Sequence, residues 1–153
     1  MAFTGKSGSG KTTLIEKISQ KLSLNNRVVI VKHDPKDKAN FDTPGKDSHR
    51  FFTSGADTIV TSPKKTTMFS HKEFSLKDLK SLAGDCDYFF IEGLKTFPLK
   101  RVGVFREEID ESYFDYIDFV AYKDVDESLL PSSLPKAHLD DVEKIIEWIE
   151  NNG

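Results

Sequence analysis

The chain has 153 residues, of which 37% are hydrophobic and 31% are charged, and its formal net charge is −3. These proportions exclude a disordered chain, and no apolar run reaches the roughly 20 residues that a membrane-spanning helix needs. The single cysteine, Cys86, excludes an intrachain disulfide framework and a multi-cysteine metal site. Because the first residues lack the apolar core of a signal peptide, we expect one cytoplasmic domain over residues 1–153, without membrane contact.

The charges are divided unevenly along the chain. Residues 1–72 carry 13 basic and 6 acidic side chains, whereas residues 73–153 carry 9 basic and 19 acidic ones. A basic half often marks an anion site, although solvated faces that merely differ in composition would give the same counts. The acidic second half argues against nucleic acid as a partner.

The first predicted elements flank a glycine-rich turn. Only four residues precede this turn, so the first strand is either very short or its natural start lies upstream. Apolar residues on one face predict a helix over residues 12–22. The β-branched run over residues 27–32 predicts a strand buried on both faces. A polar loop follows, then a short helix over residues 44–54 and two strands over residues 57–62 and 68–69.

The second half continues the alternation of helices and strands. Ser75 and Asp78 form a capping-box-like helix start. Apolar runs predict strands over residues 88–91, 101–105 and 118–122, and an amphipathic pattern predicts a last helix over residues 139–150. This alternation predicts an α/β fold, with a mainly parallel sheet and helices on both of its faces.

Residues 5–12 (GKSGSGKT) match the phosphate-binding pattern GxxxxGK[ST] at every position. Glycines let successive backbone N–H groups turn toward a phosphate, and the helix N-terminus adds its positive end. The predicted contacts come from Gly5, Ser7, Gly8, Ser9 and Gly10. Lys11 would reach the β- and γ-phosphates, and the Thr12 hydroxyl would bind Mg²⁺. The alternative, a flexible glycine-serine loop, leaves the following periodic helix unexplained. The motif places the fold among three-layer P-loop NTPases.

A magnesium site next to a P-loop needs an acid at the end of a neighbouring strand. Residues 88–91 (YFFI) deliver Glu92 to the carboxyl end of a strand, where ligands bind in open α/β sheets. Glu92 is therefore predicted to hold Mg²⁺ through water or to orient a water, and so to share the catalytic role with Lys11. An ordinary salt bridge at the strand end is the alternative.

A polar segment follows Lys32 and His33, where nucleotide switch loops lie. Asp42 or Asp47 would hold magnesium through water, and Lys46 and Arg50 would bind anionic groups. Two structural roles explain the same residues equally well: Asp47 or Ser48 as a helix cap, and Arg50 as the partner of a surface acid. Both interpretations stay open.

Four segments together resemble the MobB family. They are GKSGSGKTTL, VVIVKH, DTPGKDSHRFFTSGADTIVTSP and DYFFIEGLK, and the likeness covers about residues 3–95. The resemblance implies a homodimeric P-loop GTPase that binds GTP and Mg²⁺, hydrolyses GTP weakly and assists MobA in transferring GMP onto molybdopterin. The partners implied are a MobA-type guanylyltransferase and molybdopterin or its guanine dinucleotide.

The resemblance also assigns residues. It implies that Thr13 binds phosphate and that Lys95 helps to bind nucleotide or pterin. It further implies that residues in the polar segment line a groove shared between subunits, namely Asp42, Lys46, Asp47, Ser48 and Arg50. The strand over residues 101–105 is a possible pairing edge for the dimer.

Guanine preference has no support from the residues themselves. An N-K-x-D motif is absent from the sequence, and residues 121–124 (AYKD) stand at a plausible place with the wrong spacing. A small-metabolite P-loop kinase using ATP is the main alternative, but it should carry an arginine-rich lid, which we do not find. A nickel-inserting GTPase would need a cluster of His and Cys, and a non-catalytic module would not need an intact Lys11 and Thr12.

Overall fold

The structure is a computed structural model that describes residues 1–94 and 97–153. Its strands are β1 (Ala2–Thr4), β2 (Val28–Lys32), β3 (Thr58–Thr61), β4 (Thr66–Phe69), β5 (Tyr88–Glu92), β6 (Arg101–Arg106), β7 (Phe119–Lys123) and β8 (Lys136–His138). Its α-helices are α1 (Lys11–Leu22), α2 (Asp47–Thr53), α3 (Leu76–Ala83) and α4 (Val142–Asn152). The chain divides into two compact units, one comprising Met1–His33 with Lys80–Gly153 and the other Asp34–Leu79.

The first unit contains a six-stranded sheet in the order β2-β5-β1-β6-β7-β8, and all five strand pairings are parallel. The carboxyl ends of all six strands therefore lie at one edge, which is the edge where open α/β sheets bind ligands. β1 lies in the interior of the sheet, so the turn that follows it emerges near the middle of this edge. The predicted mainly parallel sheet is confirmed.

Two apolar clusters cover the two faces of this sheet. On one face α1 and α4 pack against Phe3, Phe90 and Phe119. On the other face Phe105 and Val120 pack against residues that follow β6, where a 3₁₀ segment (Glu111–Tyr116) lies. Alternate residues of the strands thus serve opposite faces. The α/β P-loop-type fold is confirmed.

The second unit contains an antiparallel hairpin of β3 and β4, with Thr58 opposite Phe69 and Thr61 opposite Thr66. The ring of Phe52 in α2 stacks on that of His71, with centroids 4.0 Å apart and planes at 5°. Among the described residues of this unit, no apolar side chain is fully buried. Four of its large apolar side chains are at least 40% exposed: Phe41, Phe51, Ile59 and Val60. Whether residues 1–153 form one domain stays a prediction.

Two predictions about strands were wrong. The β-branched run of β2 suggested a strand buried on both faces, but β2 lies at the edge of the sheet and Ile30 is 46% exposed. The strand over residues 101–105 was considered as a dimer edge, but β6 lies between β1 and β7. β-branched residues indicate that a segment fits a pleated sheet. They do not indicate whether the strand lies at the edge or in the interior of that sheet.

The structure also moves or adds elements. α2 begins at Asp47 rather than at Pro44, because Lys46 is extended and its N–H donates to Thr43 O in a preceding turn. β8 was missed, since a three-residue strand with the sequence Lys-Ala-His has no periodicity to detect. No helix among the described residues is long and apolar enough to cross a bilayer.

Candidate nucleotide-binding site

The turn after β1 has a backbone that requires glycine. The φ angles of Gly5, Gly8 and Gly10 are 146°, 83° and 91°, which side-chain-bearing residues rarely adopt. A Cβ at Gly5 would lie 2.3 Å from the carbonyl oxygen of Val104 in β6, so this position also has no room for a side chain. Left-handed residues alternating with ordinary ones form the concave N–H arrays that bind anions.

The first turn of α1 faces the same loop. Its first backbone hydrogen bond runs from Leu14 N–H to Gly10 O at 2.9 Å. The N–H groups of Lys11, Thr12 and Thr13 precede that bond and have no acceptor within the helix. The first turn carries no acidic side chain. This end of α1 therefore favours an anion.

The Lys11 side chain folds back over the loop. Its Nζ donates to Gly5 O at 2.8 Å, to Lys6 O at 2.6 Å and to Ser9 Oγ at 3.4 Å. Burial lowers the pKa of the Lys11 ammonium, the nearby Lys32 lowers it further and Glu92 raises it. The predicted phosphate-binding residues 5–13 thus form one contiguous loop and helix start, with a positive charge held at its centre.

Glu92 lies at the carboxyl end of β5, next to this helix start. The Thr12 hydroxyl donates toward its two carboxylate oxygens at 3.4 and 3.5 Å, and Lys32 Nζ lies 3.0 Å from Oε2. Only 14% of the Glu92 side chain is exposed. The alternative predicted for Glu92, a salt bridge at the end of the strand, is therefore present. The same carboxylate also contacts the Thr12 hydroxyl. The partner of Glu92 in that salt bridge, Lys32, was not predicted.

These two oxygen-bearing side chains fit the needs of a nucleotide-bound Mg²⁺. Among the described residues no group of three or more His, Cys, Asp and Glu side chains is placed to hold a metal. Magnesium in nucleotide sites needs no such cage, because it binds one or two protein oxygens together with phosphates and waters. The neighbouring oxygens of Thr12 and Glu92 match that donor set.

The chain after Glu92 is held by a residue that the sequence did not single out. Arg101, at the start of β6, is 1% exposed and donates to the carbonyl oxygens of Gly93 and Leu94 at 3.2 Å and of Phe97 at 3.0 Å. Burial lowers the pKa of its guanidinium, while Asp118 raises it. The signal in the sequence is an arginine directly before four residues, VGVF, that carry no polar side chain. Lys95, a predicted binding residue, lies outside the described residues.

The other predicted residues all lie in the second unit. Ser48 Oγ donates to Asp42 Oδ1 at 2.9 Å, and Asp47 Oδ1 lies 3.8 Å from Arg50 Nη1 with both side chains exposed. Lys46 precedes α2 as its N-cap residue, without a side-chain capping bond. Asp42 Oδ2 is buried and has no hydrogen-bond partner among the described residues. Arg50 thus contacts a surface acid, as the structural interpretation predicts, and its binding of anionic groups stays a prediction. The Asp42 oxygen that lacks a partner could accept a hydrogen bond from a ligand or a water.

Comparisons with known proteins agree with one another. Residues 1–121 match the family model described as "MobB: Molybdopterin guanine dinucleotide synthesis protein B". A molybdopterin-guanine dinucleotide biosynthesis adapter protein of Escherichia coli is 30% identical and aligns with 100% of this chain and 94% of its own length. An adapter protein of Haemophilus influenzae is 28% identical, over 78% of this chain and 70% of its own. A solved structure of Bacillus subtilis MobB superimposes with a TM-score of 0.81 at 24% identity, covering 99% of this chain and 96% of that one.

Proposed function

The chain belongs to the MobB family, and from this premise we propose that it is an adaptor of molybdopterin guanine dinucleotide synthesis that binds GTP with Mg²⁺. In this role it assists a MobA-type guanylyltransferase in attaching GMP to molybdopterin, and it hydrolyses GTP only weakly. The observation that carries the proposal is the loop of residues 5–13, with its left-handed glycines, the Lys11 ammonium and the contact between Thr12 and Glu92.

Each part of the loop has a separate task in the proposal. The N–H groups at the start of α1 donate to the phosphate oxygens, and the Lys11 ammonium moves from the loop carbonyls to the β- and γ-phosphates. The Thr12 hydroxyl would hold Mg²⁺, and Glu92 would hold it through water or orient an attacking water. When bound, Mg²⁺ neutralises charge on the phosphates. Lys32 holds the Glu92 carboxylate in a fixed direction through their 3.0 Å contact.

Weak hydrolysis is proposed because the chain is poor in groups that speed phosphoryl transfer. The only glutamine of the sequence is Gln20, and its side chain donates to Glu16 one turn earlier in α1. All four arginines already have partners: Arg101 donates to main-chain carbonyls and Arg27 to the main-chain oxygen of Asp85. Arg50 pairs with Asp47, and Arg106, which lies near the loop, pairs with Glu107 and Asp124. A preorganised donor array without a positioned arginine or glutamine stabilises phosphates more than the transition state.

Calorimetric titration with GTP and with ATP, each with Mg²⁺, tests the nucleotide assignment. We expect Lys11→Ala to weaken GTP binding at least tenfold, since it removes a charged phosphate contact. Lys21→Ala is the matched control, because Lys21 lies in the same helix but pairs with Glu143 on the surface. Tight binding of ATP together with no detectable binding of GTP would refute the assignment and favour the small-metabolite kinase.

The adaptor role needs a second experiment. We expect the purified protein to increase GMP transfer onto molybdopterin by a MobA-type guanylyltransferase, and we expect phosphate release from GTP by the protein alone to be slow. Lys11→Ala should lose the stimulation and Lys21→Ala should keep it. Equal transfer with and without the protein, at concentrations above that of the transferase, would contradict the role.

We also propose that the protein is a homodimer and that the β3–β4 hairpin supplies part of the interface. The support is the exposure of Phe51, Ile59, Val60 and Met68 within one short segment, at 59%, 64%, 42% and 39%. Clustered exposed apolar side chains commonly mark protein interfaces.

A further inference from the structure

A cavity adjoins the phosphate loop on the side away from Glu92. It has a volume of about 170 Å³ and lies at the carboxyl ends of β6, β7 and β8. Its lining includes Gly10, Thr13, Lys17, Lys123, Leu139 and Asp140. Whole small-molecule ligands occupy pockets of roughly 300–1,000 Å³, so this cavity has the size for one part of a nucleotide.

The position of the cavity relative to the phosphate loop indicates which part of a nucleotide would occupy it. In the sheet, β1 separates β5, which carries Glu92, from β6, β7 and β8. With the metal-bearing phosphates directed toward Thr12 and Glu92, the nucleoside end must leave the loop on the opposite side. Gly10 and Thr13 border the cavity there, and a Cβ on Gly10 would lie 3.8 Å from Leu139 Cδ1. The base of a nucleotide is therefore the group that this cavity would receive.

Asp140 is the carboxylate in the cavity, and two lysines hold it. Lys123 Nζ donates to Oδ2 at 2.7 Å, and Lys17 Nζ donates to Oδ1 at 3.4 Å. The hydrogen bond from Lys123, followed by the contact with Lys17, lowers the pKa of Asp140. About half of the side chain is exposed, and a carboxylate has roughly four lone-pair positions, so it can accept further hydrogen bonds.

A main-chain hydrogen bond holds the segment that carries Asp140 next to β7. Leu139 N–H donates to Tyr122 O at 2.7 Å, which brings the segment after β8 alongside the end of β7. Asp124, the acid of the AYKD segment, instead has its Oδ2 3.8 Å from Arg106 Nε. The carboxylate that contacts Lys123 thus comes from the segment after β8, whereas a guanine-reading motif would place it after β7.

We propose that Asp140 selects guanine by accepting hydrogen bonds from N1–H and the 2-amino group of the base. Guanine presents these two donors side by side, and a carboxylate accepts both at once. Adenine carries no 2-amino group and has an unprotonated N1, so it repels the same carboxylate. The inference rests on the proposed nucleotide-binding function and adds the residue that sets base preference.

The test compares GTP, ITP, XTP and ATP, with Mg²⁺, on the wild-type protein and on Asp140→Asn. ITP lacks the 2-amino group, so the wild-type protein should bind it roughly tenfold more weakly than GTP. XTP has an oxygen in place of that amino group. Asp140→Asn should bind GTP at least tenfold more weakly and XTP more tightly than the wild type, because the Asn side chain donates to this oxygen and still accepts from N1–H. A gain in XTP affinity cannot arise from misfolding.

Asp124→Asn is the matched control, since it removes a neighbouring carboxylate and should leave the ratio of GTP to ITP affinity unchanged. If Asp140→Asn keeps the wild-type ratio and gains nothing for XTP, while GTP binding still needs Lys11, the role of Asp140 is refuted and the GTP-binding proposal stands. A wild-type protein that binds no guanine nucleotide would refute the proposed function, and with it the inference.

Discussion

In the first unit the side chains of Phe3, Phe90 and Ile145 are almost completely buried between the sheet and its helices. In the second unit, Asp34–Leu79, Phe51 and Ile59 are more than half exposed. The first unit thus has a buried apolar core of its own, whereas the second unit leaves large apolar side chains exposed. A two-stranded hairpin is at best marginally stable alone, so the second unit has more to gain from a partner.

The largest expected difference between the units concerns their aromatic side chains. Phe90→Ala should lower the free energy of unfolding by about 3–5 kcal/mol, because it opens a cavity beneath Phe3, whose ring centroid is 5.5 Å away. Phe52→Ala removes a half-buried ring stacked on His71 and should cost about 1–2 kcal/mol. Chemical denaturation of both variants measures the difference. Equal losses would contradict the contrast between the units.

Glycines with positive φ provide the next comparison. Gly5→Ala combines an unfavourable φ with a Cβ 2.3 Å from a main-chain oxygen, so we expect a loss of about 2–4 kcal/mol and of nucleotide binding. Gly45 has φ 85° but no atom within 4 Å of an added Cβ, so Gly45→Ala should cost about 1 kcal/mol. Unfolding curves and GTP titrations of both variants measure these effects. Full GTP affinity in Gly5→Ala would show that the loop adapts.

The proposed dimer is a direct test of the exposed surface in the second unit. Ile59→Lys should weaken self-association at least tenfold, because it places a charge in the apolar patch. Leu129→Lys is the matched control, since Leu129 is 62% exposed in the first unit, close to the 64% of Ile59. Sedimentation equilibrium over a range of concentrations measures both. Equal effects of the two variants would exclude the hairpin as the interface.

The smallest expected effect concerns Asp78 at the start of α3. The Ser75 hydroxyl, the Lys72 ammonium and the Ser75 N–H lower the pKa of Asp78 to about 2, from an ordinary 3.8. A folded-state pKa below the unfolded value adds stability at pH above 3.8, and that stability is lost as the pH falls through about 2. Asp78→Asn should therefore show a shallower fall in stability over this window.

Urea midpoints measured from about pH 5 down to about pH 2 give the slope of stability against pH. Asp85→Asn is the control, because Arg27 contacts the main-chain oxygen of Asp85 and not its carboxylate. A slope in Asp78→Asn equal to that of the wild-type protein would show that the capping contacts of Asp78 do not differ between the folded and unfolded states.

Local patterns account for the parts of the fold that were predicted correctly. The apolar face of α1, the capping residues Ser75 and Asp78, and the strand that delivers Glu92 each depend on neighbours within a few residues. β8 was missed because its three residues form a strand only by pairing with β7. The edge position of β2 was missed because nothing in its own sequence states which strands flank it.

The candidate site divides in the same way. The sequence by itself determined the phosphate loop, because positive φ angles, an unpaired helix start and a lysine follow from the order of residues 5–13. Only the tertiary structure decided that Lys32 pairs with Glu92, that Arg101 holds the chain after β5, and that Asp140 lies beside Lys123. These contacts join residues 60, 8 and 17 positions apart. The contacts of Glu92 and Asp140 exist because parallel pairing brings the carboxyl ends of distant strands to one edge of the sheet. The contact of Arg101 exists because β6 starts level with the last residues of β5, since Arg101 and Ile91 both pair with Ala2 of β1.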